Sequence, residues 1–170
     1  MVLSAAISGH ADVTMTNNPT TPEEPRTRLR TAEERRKEIQ DNAASLGIDD
    51  AFIDRLVETF YGRIRDDTTL GPIFNAAIGD NWGPHLATMK DFWASVAMNA
   101  GRYSGKPVPA HQKHASIQKE HFAIWLGLFR QTLEELSGSQ KTVAYFMQRA
   151  ERIAQSLQLA LFGIPGLNRS

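Results

Sequence analysis

Three of the chain's five histidines lie in the segment GKPVPAHQKHASIQKEHFAIWLGLF, residues 105–129, together with one tryptophan. His111 and His114 are spaced i, i+3, so a helix would place them on one face. A neutral imidazole is a common metal ligand in proteins. Histidines close to helix ends also serve as capping or surface groups. The segment alone therefore leaves both a metal site and a purely structural role open.

The spacing does not favour a zinc site made of His111, His114 and His121. No carboxylate completes an H-E-x-x-H motif, the paired Glu-x-x-His motifs of a di-iron bundle are absent, and the chain has no cysteine. Nucleophilic and nucleotide-dependent chemistry are also disfavoured. The sequence has no G-x-S-x-G motif and no glycine-rich phosphate-binding motif, and Ser95 lies in a predicted helix without an evident base.

Haem binding fits the available residue types better. It requires a flat apolar slot, aromatic walls and an imidazole beside the iron. His85 and His111 lie on different predicted helices, and Tyr61 places a polar group on an apolar helix face. Aromatic residues available for the walls are Phe74, Phe92, Trp93, Phe122, Trp125 and Phe129. Each residue taken singly also fits ordinary core packing, because apolar stripes at helical spacing are normal for packed helices.

The elements that would position these residues are helices in the first half of the chain. Thr31 and Glu34 form a predicted capping box, and a second helix is predicted from about Asp50. Its apolar residues follow the i, i+3, i+4 rule: Ile53, Leu56, Val57, Phe60 and Ile64. LGPIF predicts a chain break at Gly71–Pro72, and Pro84 suits the first turn of the next helix.

The second half of the chain continues the helical pattern. The segment GRYSGKPVP predicts a connection that leaves room only for a short helix around His111. Ser116 is predicted to cap the following helix, Gly138–Ser139 to separate it from a last helix, and Gly163 to end that helix. No alternating strand pattern and no repeat is present, so the predicted class is all-α with about six helices.

Composition restricts the organisation and the partners. The chain has 170 residues, which fits one domain, and 19 basic residues balance 19 acidic ones, which disfavours nucleic-acid and anionic-membrane partners. No apolar run is long enough to cross a membrane, and the N-terminus lacks signal-peptide features, so we expect a cytoplasmic location. Residues 1–30 are polar and proline-rich, which predicts a disordered tail before a domain at 31–165.

Five blocks in order carry a resemblance to a known family: FYGRIRDDTTLGPIFNAAIGDNW, HLATMKDFW, GRYSGKPVPAH, HFAIWLGLF and QRAERIAQSLQLALF. Together they resemble the group III truncated haemoglobins, which are small bacterial globins. The resemblance covers about residues 31–163. It implies a two-over-two helical sandwich around haem b, here with an extra N-terminal helix.

The resemblance also implies roles for individual residues. His111 closes a Y-x-G-x-P-x-x-x-H pattern that begins at Tyr103, and so matches the family's proximal iron ligand. Tyr61, Trp125 and His85 match the distal residues that bind O2. The implied haem-contacting set is Phe74, His85, Met89, Phe92, His111 and Trp125. Donors on rigid rings suit this role, because bound O2 carries partial negative charge.

Several positions stay open within the resemblance. His114 stands where relatives have an apolar residue, and it is either an alternative ligand or an exposed polar substitution. His121 is interpreted as a structural residue at a helix start. The tight GDNWGPH connection leaves open whether His85 reaches the pocket. Candidates for binding the haem propionates are Lys90, Arg102 and Lys113.

The implied function is binding of O2, NO or CO, for oxygen storage, transport or sensing, or for redox chemistry. The redox alternatives are nitric oxide dioxygenase and peroxidase-like activity. Because the chain has no flavin or nicotinamide domain, turnover would need an external reductase. The competing hypothesis is a cofactor-free helical protein-interaction module that uses its amphipathic faces.

Overall fold

The computed structural model describes residues 30–163, and the compact unit begins at Thr31. Within that range all regular elements are helices: α1 (Ala32–Ser45), α2 (Asp50–Asp66), α3 (Leu70–Ile78), α4 (Trp82–Met98), α5 (Pro107–Gln112), α6 (Lys119–Ser137) and α7 (Gln140–Phe162). The all-α prediction is confirmed, with seven helices in the described range instead of about six. Apart from Arg30, the predicted tail lies outside the described residues, as do residues 164 and 165 at the predicted end of the domain.

Helices α1 and α2 begin where the sequence predicts. Glu34 N donates to Thr31 Oγ1 at 3.1 Å, and Thr31 N donates to Glu34 Oε2 at 2.8 Å, which completes the capping box. The Asp49 carboxylate accepts from Phe52 N at 2.7 Å and caps α2. The predicted apolar stripe of α2 is fully buried, with each member at most 1% exposed: Ile53, Leu56, Val57, Phe60 and Ile64.

The predicted break at Gly71–Pro72 is wrong, because both residues lie in the first turn of α3. The break comes earlier, at Asp67, whose carboxylate accepts from Thr69 N at 2.9 Å and Leu70 N at 2.7 Å. Pro72 is tolerated there because the first helical N–H groups need no intrahelical partner. A Cβ at Gly71 would lie 2.6 Å from the Arg65 carbonyl oxygen, so glycine lets α3 start directly against the end of α2.

The later helix boundaries follow the predictions with one exception. Pro84 lies in the first turn of α4, α5 is short and contains His111, and α7 ends at Gly163 with a positive φ of 76°. Ser116 does not cap α6. Two successive turns, from His114 N to His111 O and from Ile117 N to His114 O, carry the chain past it, and α6 begins at Lys119.

The helices pack as two pairs joined through their inner members. α2 packs on α4, α6 packs on α7, and α2 contacts α6, while α1 lies on α4 and α5 lies on α7. The largest fully buried side chains are Trp93, Phe60, Phe129 and Phe146. Each contributes about 1.5–3 kcal/mol through burial. None of the described helices has both the length and the apolarity needed to cross a membrane.

Candidate functional site

A mostly apolar cavity of about 280 Å³ opens between the helix pairs, with walls from α2 to α7. All seven site residues predicted from the sequence line it: Tyr61, Phe74, His85, Met89, Phe92, His111 and Trp125. Of the other aromatic residues considered for the walls, Trp93 and Phe122 line it as well. Phe129 does not; it is fully buried in the core behind Trp125. The cavity is therefore the place where the chemistry-bearing residues converge.

His111 is held by its own helix in an orientation that fixes its tautomer. Its Nδ1 lies 2.7 Å from the carbonyl oxygen of Pro107, the first residue of α5. A carbonyl can only accept, so Nδ1 carries a proton, and in the neutral imidazole Nε2 keeps its lone pair. A histidine with this partner is arranged as a metal ligand, since ligating histidines usually donate their other N–H to a carbonyl or carboxylate. The Pro107–His111 spacing of one helical turn produces the arrangement.

His121 has the opposite tautomer. Its Nδ1 accepts a hydrogen bond of 3.1 Å from Gln118 N and caps the start of α6. The ring proton of neutral His121 must therefore be on Nε2, which makes that atom a donor instead of a metal ligand. This agrees with the structural role expected from the sequence. His114 is half-buried at the same cavity.

His85 reaches the cavity, which the sequence left open. Its Nε2 is fully buried and has no hydrogen-bond partner among the described residues. Burial lowers the pKa of His85, and the nearby His111 lowers it further, so neutral imidazole is favoured. An orphaned buried polar atom in a native protein requires an explanation, and a bound ligand is one.

Tyr61 adds a hydroxyl on the adjoining wall. The side chain is 5% exposed, and burial, with Tyr103 as a second cause, raises the pKa of Tyr61 well above its usual range. The phenol therefore keeps its proton at neutral pH and remains a donor. Its ring centroid lies 5.4 Å from that of His85. Within residues 30–163 the hydroxyl has no protein partner.

Trp125 is fixed by aromatic packing one helical turn after His121. Its ring stacks on Phe129 at 5.3 Å and on Trp93 at 6.4 Å, and Phe60 meets it edge-on at 5.2 Å. The i, i+4 spacing puts Trp125 and His121 on the same face of α6, and both line the cavity. This packing holds the indole rigidly against the cavity.

The Y-x-G pattern before α5 has a packing explanation. Tyr103 meets Phe92 edge-on at 5.0 Å, and a Cβ at Gly105 would lie 2.2 Å from the Tyr103 hydroxyl. Any side chain at position 105 would therefore displace the tyrosine. Ser95 anchors the same connection, because its Oγ accepts from Arg102 N and Tyr103 N at 3.0 Å each. Ser95 thus has a structural role.

None of the three basic residues considered for the haem propionates lines the cavity. Lys90 instead pairs with Asp54 at 2.5 Å and Glu58 at 2.6 Å, across α2 and α4. Arg102 pairs with Asp50 and Asp91, and Lys113 is exposed. Exposed pairs of this kind contribute little to stability, about 0–1 kcal/mol each.

Sequence reasoning missed the contribution of the last helix to the cavity. Ile153, Ala154 and Leu157 of α7 line it, although their helical spacing predicted only core packing. Trp82, the first residue of α4, was also missed; it packs edge-on against both Tyr61 and His85. No spacing signal marks either feature, because both depend on how the helices come together.

The helix arrangement and the cavity define a globin-type helical sandwich. Among the described residues no group of three or more His, Cys, Asp or Glu side chains could hold a metal ion alone, so a three-histidine zinc site is not formed. A planar iron cofactor instead requires only one imidazole ligand, with apolar walls around it.

Comparisons with known proteins give the family. No family model matches the chain. The chain is 37% identical over 117 residues to the group 3 truncated haemoglobin ctb of Campylobacter jejuni, covering 67% of this chain and 91% of that protein. It is also similar to the crystal structure of a group III truncated haemoglobin from Campylobacter jejuni, with a TM-score of 0.66, 36% identity, and coverage of 71% of this chain and 96% of that one. The chain belongs to the group III truncated haemoglobin family.

Proposed function

We propose that this globin binds haem b in the cavity and binds diatomic gases there, with His111 as the iron ligand. The observation that carries the proposal is the His111 ring, whose Nδ1 is engaged with Pro107 O while Nε2 stays free at an apolar cavity. When bound, the haem iron would supply the site at which O2, NO or CO attaches.

The residues of the cavity fit such a cofactor. Apolar and aromatic side chains suit the faces of a flat macrocycle, and they include Phe74, Met89 and Phe92. The buried Nε2 of His85 has no partner among the described residues, and a polar ligand bound in the cavity would provide one. Candidate partners for the propionates are the cavity histidines His114 and His121, of which His121 presents an Nε2–H donor.

The ligand-binding role is proposed for Tyr61, Trp125 and His85. All three are rings with an N–H or O–H group, and all three line the same cavity. Donors held on rigid rings can address a ligand that gains negative charge without first reorganising. The raised pKa of Tyr61 keeps its hydroxyl protonated, and the lowered pKa of His85 keeps its imidazole neutral near pH 7.

A cluster of hydrogen-bond donors would hold bound O2 strongly and slow its release, which hinders oxygen transport. The cluster therefore favours a reaction of the bound ligand. The proposed reactions are oxidation of nitric oxide by O2 to nitrate, which consumes one electron, and reduction of hydrogen peroxide to water, which consumes two electrons and two protons. The sequence contains no flavin or nicotinamide motif, so we propose that an external reductase supplies the electrons.

The visible absorption spectrum of the purified protein, with hemin titration of any colourless fraction, tests the proposal. We expect a Soret band, one haem per chain at saturation, and a pyridine haemochrome spectrum of the haem b type. A protein that takes up no hemin would contradict the proposal and would favour the cofactor-free interaction module.

A further inference from the structure

The His85 imidazole lies between two aromatic rings. Tyr61 meets it edge-on at 5.4 Å with an interplanar angle of 86°, and Trp82 meets it edge-on at 5.8 Å with an angle of 89°. Tyr61 and Trp82 are themselves 6.4 Å apart. Each of the three rings therefore contacts the other two. Tyr61 and His85 line the cavity, whereas Trp82 lies behind them and does not.

Trp82 is held in place by two other helices. Its Nε1 donates to the Asn75 Oδ1 of α3 at 3.2 Å. The Arg65 guanidinium, at the end of α2, lies 4.8 Å from the centre of the Trp82 ring, within the range of a cation–π interaction. Both contacts restrict the indole to the orientation that faces His85. The Trp82 ring is half-buried.

The imidazole needs such a restraint. Its Nε2 is buried and has no partner in the part of the chain that the structure describes, and an unpaired buried polar atom is disfavoured relative to a hydrated one. No hydrogen bond within the described residues holds the ring inward. The side chain would therefore gain hydration by turning outward, and the packing of Tyr61 and Trp82 opposes that movement.

We propose that Trp82, fixed by Asn75 and Arg65, is a positioning residue that keeps the His85 imidazole in the cavity. Tyr61 lines the cavity itself, whereas Trp82 acts only through its neighbours. The consequence for a bound gas rests on the proposed function. The conformational restraint on His85 does not, because it involves protein atoms alone.

Modification of histidines by diethyl pyrocarbonate, followed by peptide mass spectrometry, tests the restraint with or without haem. In Trp82→Leu and Asn75→Ala we expect His85 to react several-fold faster than in the wild type. His114 in the same digest reports on general loosening and should react at an unchanged rate. Trp82→Phe keeps a ring beside the imidazole but loses the hydrogen bond to Asn75, so its His85 rate should lie close to that of Asn75→Ala and below that of Trp82→Leu. An unchanged His85 rate in both Trp82→Leu and Asn75→Ala overturns the proposal, as does an equal rise at His114.

A double-mutant cycle on O2 dissociation tests the consequence for the ligand. We expect Trp82→Leu to speed dissociation about as much as His85→Leu, on the order of tenfold for one lost charge-assisted hydrogen bond. The double variant should then match His85→Leu alone. A Trp82→Leu effect that persists in full in the His85→Leu background contradicts action through His85. If the wild type takes up no haem, the proposed function fails, while the modification rates still decide the inference.

Discussion

Tyr61 and Trp125 bring an O–H and an N–H group to one apolar cavity, and between residues 30 and 163 each side chain is held by packing, with no competing hydrogen bond. Donors of this kind gain a partner only when a ligand is present. Their contribution should therefore appear in the dissociation rate of a polar ligand.

Tyr61→Phe should speed O2 dissociation by about ten- to hundredfold, because a hydrogen bond to a charged acceptor contributes roughly 1.5–3 kcal/mol. Trp125→Phe should act in the same direction, although it also opens space beside Phe129. Stopped-flow measurement of O2 release gives both rates. Carbon monoxide is the control ligand, since it is less polar when bound and should respond much less. Unchanged O2 rates in both variants would rule out the polar-pocket mechanism and leave the haem assignment standing.

The sequence singles out the proposed site residues only through the family resemblance, and their roles stay predictions. Spacing alone did not separate His111 from His114 and His121. Their difference comes from hydrogen-bond partners, Pro107 O for His111 and Gln118 N for His121, which depend on where α5 and α6 begin. Trp82 could not be predicted, because its contacts join three helices that are separated by loops.

At the scale of elements, the junction between α2 and α3 leaves no space for a side chain at Gly71. α3 supplies Ile73, Phe74 and Ala77 to the wall, and Gly71 permits its close start. A side chain at position 71 would collide with the backbone at Arg65, which cannot move without shifting the end of α2.

Gly71→Ala should lower the free energy of unfolding by about 1–3 kcal/mol, the usual cost of forcing extra atoms into packed space. Gly127→Ala is the matched control: it lies within α6 with nothing within 4 Å of the added Cβ. It should stabilise the protein by up to about 1 kcal/mol through helix propensity. Urea unfolding of the two variants measures both effects. Equal stability of Gly71→Ala and the wild type would show that the junction relaxes without cost.

The other helices were predictable from apolar periodicity and capping residues, whereas α3, which lies at the predicted break, and the start of α6 were not. At LGPIF, the Gly–Pro pair suggested a break, yet the Asp67 carboxylate accepts from Leu70 N and α3 begins at Leu70, one residue before Gly71. Ser116 is a residue type that often caps helices, but it does not cap α6. Two consecutive turns after His111 extend beyond it, and α6 begins at Lys119. In both cases the residue types allowed more than one helix start, and local hydrogen bonds determined which one forms.

At the scale of the whole molecule, the N-terminal region is predicted to be separable from the globin domain. Deleting residues 1–28 should leave haem content and thermal stability nearly unchanged, because its polar, proline-rich composition provides little apolar surface for packing. Deletion through residue 47 is the contrasting variant. It removes Ala43, which is 1% exposed, and the Leu46 carbonyl that accepts from Thr142 Oγ1 at 3.0 Å, so it should lower the melting temperature. A large loss on the shorter deletion would show that the tail stabilises the domain.

The fold as a whole was the most predictable feature. The sequence predicts about six helices and no strand, and the described residues form seven helices. The cavity was less predictable, since its α7 wall and the place of Trp82 arise from packing between distant segments.

The central claim is that His111, and neither of its neighbours, holds the haem iron. Soret absorbance per chain on titration with hemin, measured for three variants, tests it most directly. We expect His111→Ala to lose or greatly loosen haem and to be partly rescued by added imidazole, whose ring fills the space left. His114→Ala and His121→Ala should retain haem at wild-type stoichiometry. Haem retained by His111→Ala and lost by His114→Ala would contradict the assignment.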